Sequence, residues 1–120
     1  GIMALIGIEK TDMQIHAEKL FNKIVNYRIF PDNNGKMNLS LKDIQGGLLL
    51  VPQFTLVAET TKGTRPGLSK GMPPQEGEQL FEYLVEYAQN NYLSVATGCF
   101  GAAMLVRLCN DGPVTFILQV

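Results

Sequence analysis

Four apolar residues stand in succession between a glycine pair and a proline, in the stretch Gly46-Gly47-Leu48-Leu49-Leu50-Val51-Pro52. A strand that leaves one face to water alternates apolar with polar residues. This run has no polar position to offer, so it has to be covered on both faces. That requirement puts it in the middle of a sheet, with the rest of the chain arranged as neighbours and cover. The opening segment Ile2-Met3-Ala4-Leu5-Ile6-Gly7-Ile8 is the first such neighbour. It is too short to span a membrane and lacks the basic start of a secretory signal, so it reads as a second buried strand.

The cover comes from two helices. Thr11 with Gln14 three residues on fits a capping box, and Met13, Ala17, Leu20, Phe21 and Ile24 recur at helical spacing, which predicts a helix from about Asp12 to Tyr27. Pro73-Pro74 opens a second helix whose inward stripe is Leu80, Phe81, Leu84, Val85 and Ala88 and which ends near Asn90-Asn91. Tyr83 and Tyr87 sit on a neighbouring face and read as packing residues. Between the helices, Asn34-Gly35 is a tight-turn signal joining Tyr27-Arg28-Ile29-Phe30 to Lys36-Met37-Asn38-Leu39 as a hairpin, with Met37 at the core or its rim and Asn38 as a turn cap.

After the second helix, Val95–Phe100 returns to the sheet. Met104, Val106 and Leu108 then alternate, as do Val114, Phe116, Leu118 and Val120, with Asn110-Asp111-Gly112-Pro113 between the two sets. This predicts a terminal hairpin. Asp-Gly-Pro can be turn punctuation alone, although a Gly-Pro bond directly before a strand is also a place for a cis peptide. The order strand, helix, hairpin, strand, helix, three strands gives an α/β or α+β fold, a mixed sheet with two helices on one side. With 120 residues, 46% of them hydrophobic, residues 1–120 suit a single domain with one core.

Several chemistries are disfavoured. A net charge of −1 gives no basic field for wrapping a nucleic-acid backbone, so any RNA contact has to be local. Cys99 and Cys109 have no CxxC spacing and read as buried thiols of a reducing compartment, neither zinc ligands nor nucleophiles. His16 is the only histidine, and on the first helix it reads as a solvated side chain. No Ser-His-Asp set, metal cluster, phosphate-binding loop or carboxylate pair is legible, which excludes a hydrolase driven by side chains and implies no metal and no cofactor. Two polar stretches remain. Gln53 and Thr55 follow the central strand, where they form part of a site or simply cap it. The loop Thr60–Gly71 carries Lys62, Arg65 and Lys70 among glycines and hydroxyls, a solvated loop or a cradle for phosphates.

Taken in order, Tyr27-Arg28-Ile29-Phe30, Gly35-Lys36-Met37-Asn38-Leu39, Val51-Pro52-Gln53-Phe54-Thr55-Leu56, Lys62-Gly63-Thr64-Arg65-Pro66, Thr97-Gly98 and Asn110-Asp111-Gly112-Pro113-Val114-Thr115 resemble the D-aminoacyl-tRNA deacylases, formerly called D-tyrosyl-tRNA deacylases. The likeness runs through essentially the whole chain. It implies a three-layer β-β-α sandwich, a homodimer and a cytoplasmic location, with neither membrane nor DNA as a partner. The implied reaction is hydrolysis of the ester that links a D-amino acid, or glycine mischarged on tRNA-Ala, to the tRNA 3′ end. By the same resemblance Gln53, Phe54 and Thr55 form the catalytic pocket, with Gln53 at the substrate carbonyl and Phe54 near the adenine. Met37 and Asn38 border the terminal adenosine, Met104 touches substrate, and Lys62 and Arg65 meet phosphates. Gly112-Pro113 is implied to be a cis pair whose carbonyls enter the partner subunit's pocket and reject L-amino acids. The chain departs from the family at Pro52, where a serine is usual, and at Ala103, where an acidic residue is usual. It also looks shortened by two strands at its start. These departures keep open a second reading, a non-catalytic dimeric RNA-binding module.

Overall fold

The computed structural model describes residues 1–120. In chain order the elements are β1 (Ile2–Ile6), α1 (Gln14–Asn26), β2 (Phe30–Pro31), β3 (Met37–Leu39), α2 (Leu41–Ile44), β4 (Leu48–Pro52), a 3-10 turn (Phe54–Val57), α3 (Pro74–Asn91) and β5 (Val95–Thr97). The unalternated run is the central strand. β4 lies between β1 and β5 and pairs in parallel with both, Leu50 standing opposite Ala4 on one side and Thr97 on the other. Its Leu48, Leu50 and Val51 are buried. The three-stranded sheet is wholly parallel because each connection passes through a helix, and the antiparallel character is confined to the separate pair β2–β3.

α1 and α3 pack on this sheet through Ala17, Phe21 and Ile24 on one helix and Phe81, Leu84 and Ala88 on the other, as the periodicity marks; Val25 and Gly77 are buried with them, whereas Met13 stays exposed ahead of the helix. Phe21 meets Tyr87 edge-on at 5.5 Å, and the Tyr83 hydroxyl donates to Glu18, so both tyrosines pack between the helices as expected. The start of α1 differs from the expected capping box. Met13, not Thr11, precedes the helix, and its backbone N–H donates to His16 Nδ1 at 2.8 Å. His16 therefore closes the first turn and is not an idle surface group. The short α2 carries no periodicity to detect, but Ser40 and Asp43 close it reciprocally, Asp43 Oδ2 accepting from Ser40 N at 2.8 Å and Ser40 Oγ from Asp43 N at 3.2 Å.

The terminal hairpin is the main correction. No strand is formed beyond Thr97, and residues 103–120 make no backbone–backbone hydrogen bond. The turn is held by a side chain: Asn110 Oδ1 accepts from Val114 N at 3.1 Å, and Asn110 Nδ2 donates to Thr115 Oγ1 at 3.0 Å. With Pro113 lacking a donor and Asn110 taking the place of the closing backbone bonds, the alternating arms are unladdered. Cys99 and Cys109 are both exposed, contrary to expectation, because the first lies in the turn after β5 and the second at the end of an uncovered arm. The molecule accordingly exposes 8440 Å², whereas a compact monomer of this size exposes about 6,400 Å² by the mass scaling of folded proteins.

Candidate active site

The sheet ends its central strand in a break. Pro52 closes the β4 register opposite Ile6, Gln53 N donates to Ile6 O at 2.8 Å, and the chain then turns into the 3-10 segment. The first bond of that turn runs from Leu56 N to Gln53 O at 3.2 Å, so the N–H groups of Phe54 and Thr55 ahead of it have no partner within the turn. Gln53 Nε2 donates to Thr55 Oγ1 at 2.6 Å, which locks the two polar side chains together. Phe54 presents its ring to solvent, 64% exposed.

The adjacent strand supplies the wall. Gly98 N donates to Leu50 O at 2.8 Å, which carries the β4–β5 ladder one residue further and sets Gly98 beside Pro52. A Cβ on Gly98 would lie 2.9 Å from Met104 Sδ and 3.2 Å from Pro52 Cδ, and Met104 Sδ accepts from Cys99 N at 3.3 Å. Gln53, Phe54, Thr55 and Met104 thus gather at one corner of the sheet. In the sequence Gly98 stands out only as part of the Thr97-Gly98 motif, with no role assigned. Its signal in the sequence is a glycine directly after a short strand, where another chain segment comes close.

The other expected site residues stand apart within this chain. Met37 and Asn38 lie on β3, with the Asn38 carbonyl accepting from Arg28 Nε at 2.8 Å and Met37 exposed. The hairpin beneath them is held by Asp32, whose carboxylate accepts from Asn34 N and Lys36 N at 2.8 and 3.0 Å; chiefly the Lys36 N–H keeps its pKa below the ordinary value. Lys62 and Arg65 ride a closed loop: Glu59 and Gly67 exchange backbone bonds of 2.8 and 2.9 Å, and Gly63 turns the tip at φ +68°. Neither basic side chain has a partner. Lys70, read from sequence as a third phosphate contact, is instead held 2.6 Å from Glu59 Oε2. The bond from Lys70, with help from Thr61, lowers the Glu59 carboxyl to about 2. Gly112–Pro113 is a cis peptide as expected, at an exposed turn with no hydrogen bond to Gln53, Phe54 or Thr55 of its own chain.

No group of three histidine, cysteine, aspartate or glutamate side chains stands close enough to hold a metal ion, and no helix is long and apolar enough to cross a membrane. The corner of the sheet offers backbone donors, an amide and a hydroxyl, but no base: His16 spends its Nδ1 on Met13.

Comparison with known proteins fits this arrangement. A D-aminoacyl-tRNA deacylase of Pseudomonas entomophila (strain L48) is 56% identical over 120 residues, spanning the whole of this chain and 83% of its own length. One from Legionella pneumophila (strain Lens) is 54% identical over 119 residues, 99% of this chain and 82% of the relative. Among solved structures, that of a c-Myc DNA unwinding element binding protein superposes with a TM-score of 0.89 at 37% identity, covering 95% of this chain and 78% of that one. A probable eukaryotic D-amino acid tRNA deacylase, 15% identical with a TM-score of 0.71, shares the fold. A profile of the D-Tyr-tRNA(Tyr) deacylase family matches residues 1–119, and the chain therefore belongs to that family.

Proposed function

We propose that the chain is a D-aminoacyl-tRNA deacylase, an ester hydrolase acting at the tRNA 3′ end. The observation that carries this reading is the family match over residues 1–119, joined to a polar corner that holds donors and no general base. Hydrolysis requires water to add to the ester carbonyl, charge to build on the carbonyl oxygen, and the bond to the ribose oxygen to break with a proton delivered to it. The unpartnered N–H groups of Phe54 and Thr55 are suited to the developing oxyanion, and donors preorganised in this way supply about 3–4 kcal/mol each in other hydrolases. Gln53 and Thr55, tied at 2.6 Å, orient the carbonyl. The proton route runs through the RNA's own 2′-hydroxyl, since the chain offers no base at this corner. Phe54 and Met104 provide the apolar walls, Met37 and Asn38 the adenosine border, and Lys62 and Arg65 the phosphate contacts.

Chiral selection fits the same reading. The exposed Gly112–Pro113 turn of a second subunit enters this corner and leaves room for D-substrates and glycine while excluding an L side chain. The active form is a homodimer in the cytoplasm, and glycine mischarged on tRNA-Ala is a second substrate. A turnover assay with D-tyrosyl-, L-tyrosyl- and glycyl-tRNA tests the proposal. Hydrolysis of the D and glycyl esters with the L ester untouched is the expected result. Binding of tRNA without turnover of any ester would replace it with the non-catalytic module.

A further inference from the structure

The ladder between β4 and β5 stops one donor early. Leu48 stands opposite Val95 and Leu50 opposite Thr97, and the bonds from Leu48 N to Ser94 O at 2.9 Å and from Gly98 N to Leu50 O at 2.8 Å belong to that register. In a parallel pair, every second residue of one strand donates to the carbonyl just before its partner and accepts from the N–H just after it. The next donor toward β5 is therefore the N–H of residue 52, and its acceptor is the Gly98 carbonyl. Pro52 has no N–H to give. The carbonyl is met instead by Thr97 Oγ1, which donates to it at 2.9 Å. The residue held in this way lies under a side chain of the site. A Cβ on Gly98 would lie 2.9 Å from Met104 Sδ, 3.5 Å from Met104 Cε and 3.2 Å from Pro52 Cδ. The proline is fixed by its ring and by its place opposite Ile6, so the flexible thioether is the group that would have to yield. Met104 Sδ also accepts from Cys99 N, which ties it to the backbone directly after Gly98.

We propose that Gly98 is a positioning residue for the site, resting on the deacylase reading above: its missing Cβ seats the Met104 thioether as a wall of the pocket, and the Thr97 hydroxyl keeps Gly98 in place where Pro52 supplies no donor. Gly98 touches no reacting atom. Its influence passes through Met104, which reaches across residue 98 only because nothing projects from it. A wall made of apolar contact holds the ester and its transition state alike, so displacing it weakens binding and leaves the chemical step unchanged.

The test is a double-mutant cycle on the full chain with D-tyrosyl-tRNA, joined to methyl spectra of protein labelled at its methionines. Gly98→Ala is expected to raise KM about tenfold and to leave kcat within about twofold. Met104→Ala removes the sulfur that the new Cβ would meet, so adding Gly98→Ala to it should change KM by less than about twofold, whereas independent residues would multiply their effects. The Met104 methyl signal should move in Gly98→Ala. Thr97→Val adds no bulk at Gly98 and should raise KM in the same sense, and less so once Pro52→Ser returns an N–H to the ladder. Multiplying effects in the cycle, an unchanged KM in Gly98→Ala or a loss confined to kcat would each overturn the proposal. An equal effect of Thr97→Val with and without Pro52→Ser would do the same. Active wild-type protein whose Met104 signal stays put in Gly98→Ala would overturn the positioning role alone, whereas wild-type protein that hydrolyses no D-tyrosyl ester would remove the deacylase reading and this role with it.

Discussion

Gly112 has φ +127°, and a Cβ built on it would lie 2.7 Å from Val114 Cγ2 and 3.1 Å from Val114 N. An alanine there meets both an unfavourable backbone region and its own neighbour, so the turn has to move. Gly112→Ala is expected to lower D-tyrosyl-tRNA turnover at least tenfold with the far-UV spectrum and assembly mass unchanged; full activity would detach this turn from the pocket. Thr55 belongs to a different class. Its hydroxyl accepts from Gln53 and has no base to take its proton, so Thr55→Ala should keep measurable hydrolysis, and quenched reactions should show no aminoacyl ester on the protein. Gln53 and Thr55 drew attention in the sequence because polar residues directly after a buried strand need a reason to be there, and the structure ties them to each other. The role of His16 was not legible, since sequence shows a histidine on a helix but not which backbone donor its ring will meet. By pattern Met104 was one alternating apolar residue, singled out only by the resemblance, and its place over Gly98 depends on a contact that no local pattern encodes.

Among the elements, the loop tied at Glu59 and Gly67 carries two predictions. Glu59 has a folded pKa near 2 against an ordinary 4.5, set first by Lys70 and then by Thr61. Because the folded value is the lower one, the tie is fully present above about pH 4.5 and is lost as pH falls toward 2. Amide exchange at Thr61, slow at pH 6, should lose its relative protection across that window, and Glu59→Gln should remove the dependence. Lys62 and Arg65 at the tip have no partners in the chain. Replacing both with alanine should raise KM for aminoacyl-tRNA, leave kcat within about twofold and reduce the salt slope by about 1.4, as two phosphate contacts to a single strand imply. The central strand and both long helices could be read from sequence, since each has a face, or two faces, that must be apolar. The terminal arms misled for the same reason: alternation reports that a segment suits a sheet, whereas a strand also needs a neighbour with free donors and acceptors.

At the scale of the whole molecule, the radius of gyration is 15.1 Å, while a compact domain of this length has about 13.6 Å. The sheet leaves apolar surface that two helices do not reach. We propose that a homodimer covers this deficit, and native mass spectrometry at micromolar concentration should give twice the chain mass; a monomer with full turnover would contradict it. Fold class and family were readable from the ordered motifs because they span the chain from Tyr27 to Thr115. The partner pocket that the resemblance implies for Gly112-Pro113 is a different matter, because one chain's sequence holds no information on where another copy sits. The exposed arms, with Leu105 at 89% and Ile117 at 84%, also decide how the protein behaves in a tube. A net charge of −1 gives almost no long-range repulsion between molecules. Solubility is therefore set by ionic conditions and by whatever caps the arms. Kosmotropic salts such as sulfate strengthen apolar attraction and drive the bare chain out of solution, and an added acidic tag offsets them by restoring colloidal repulsion.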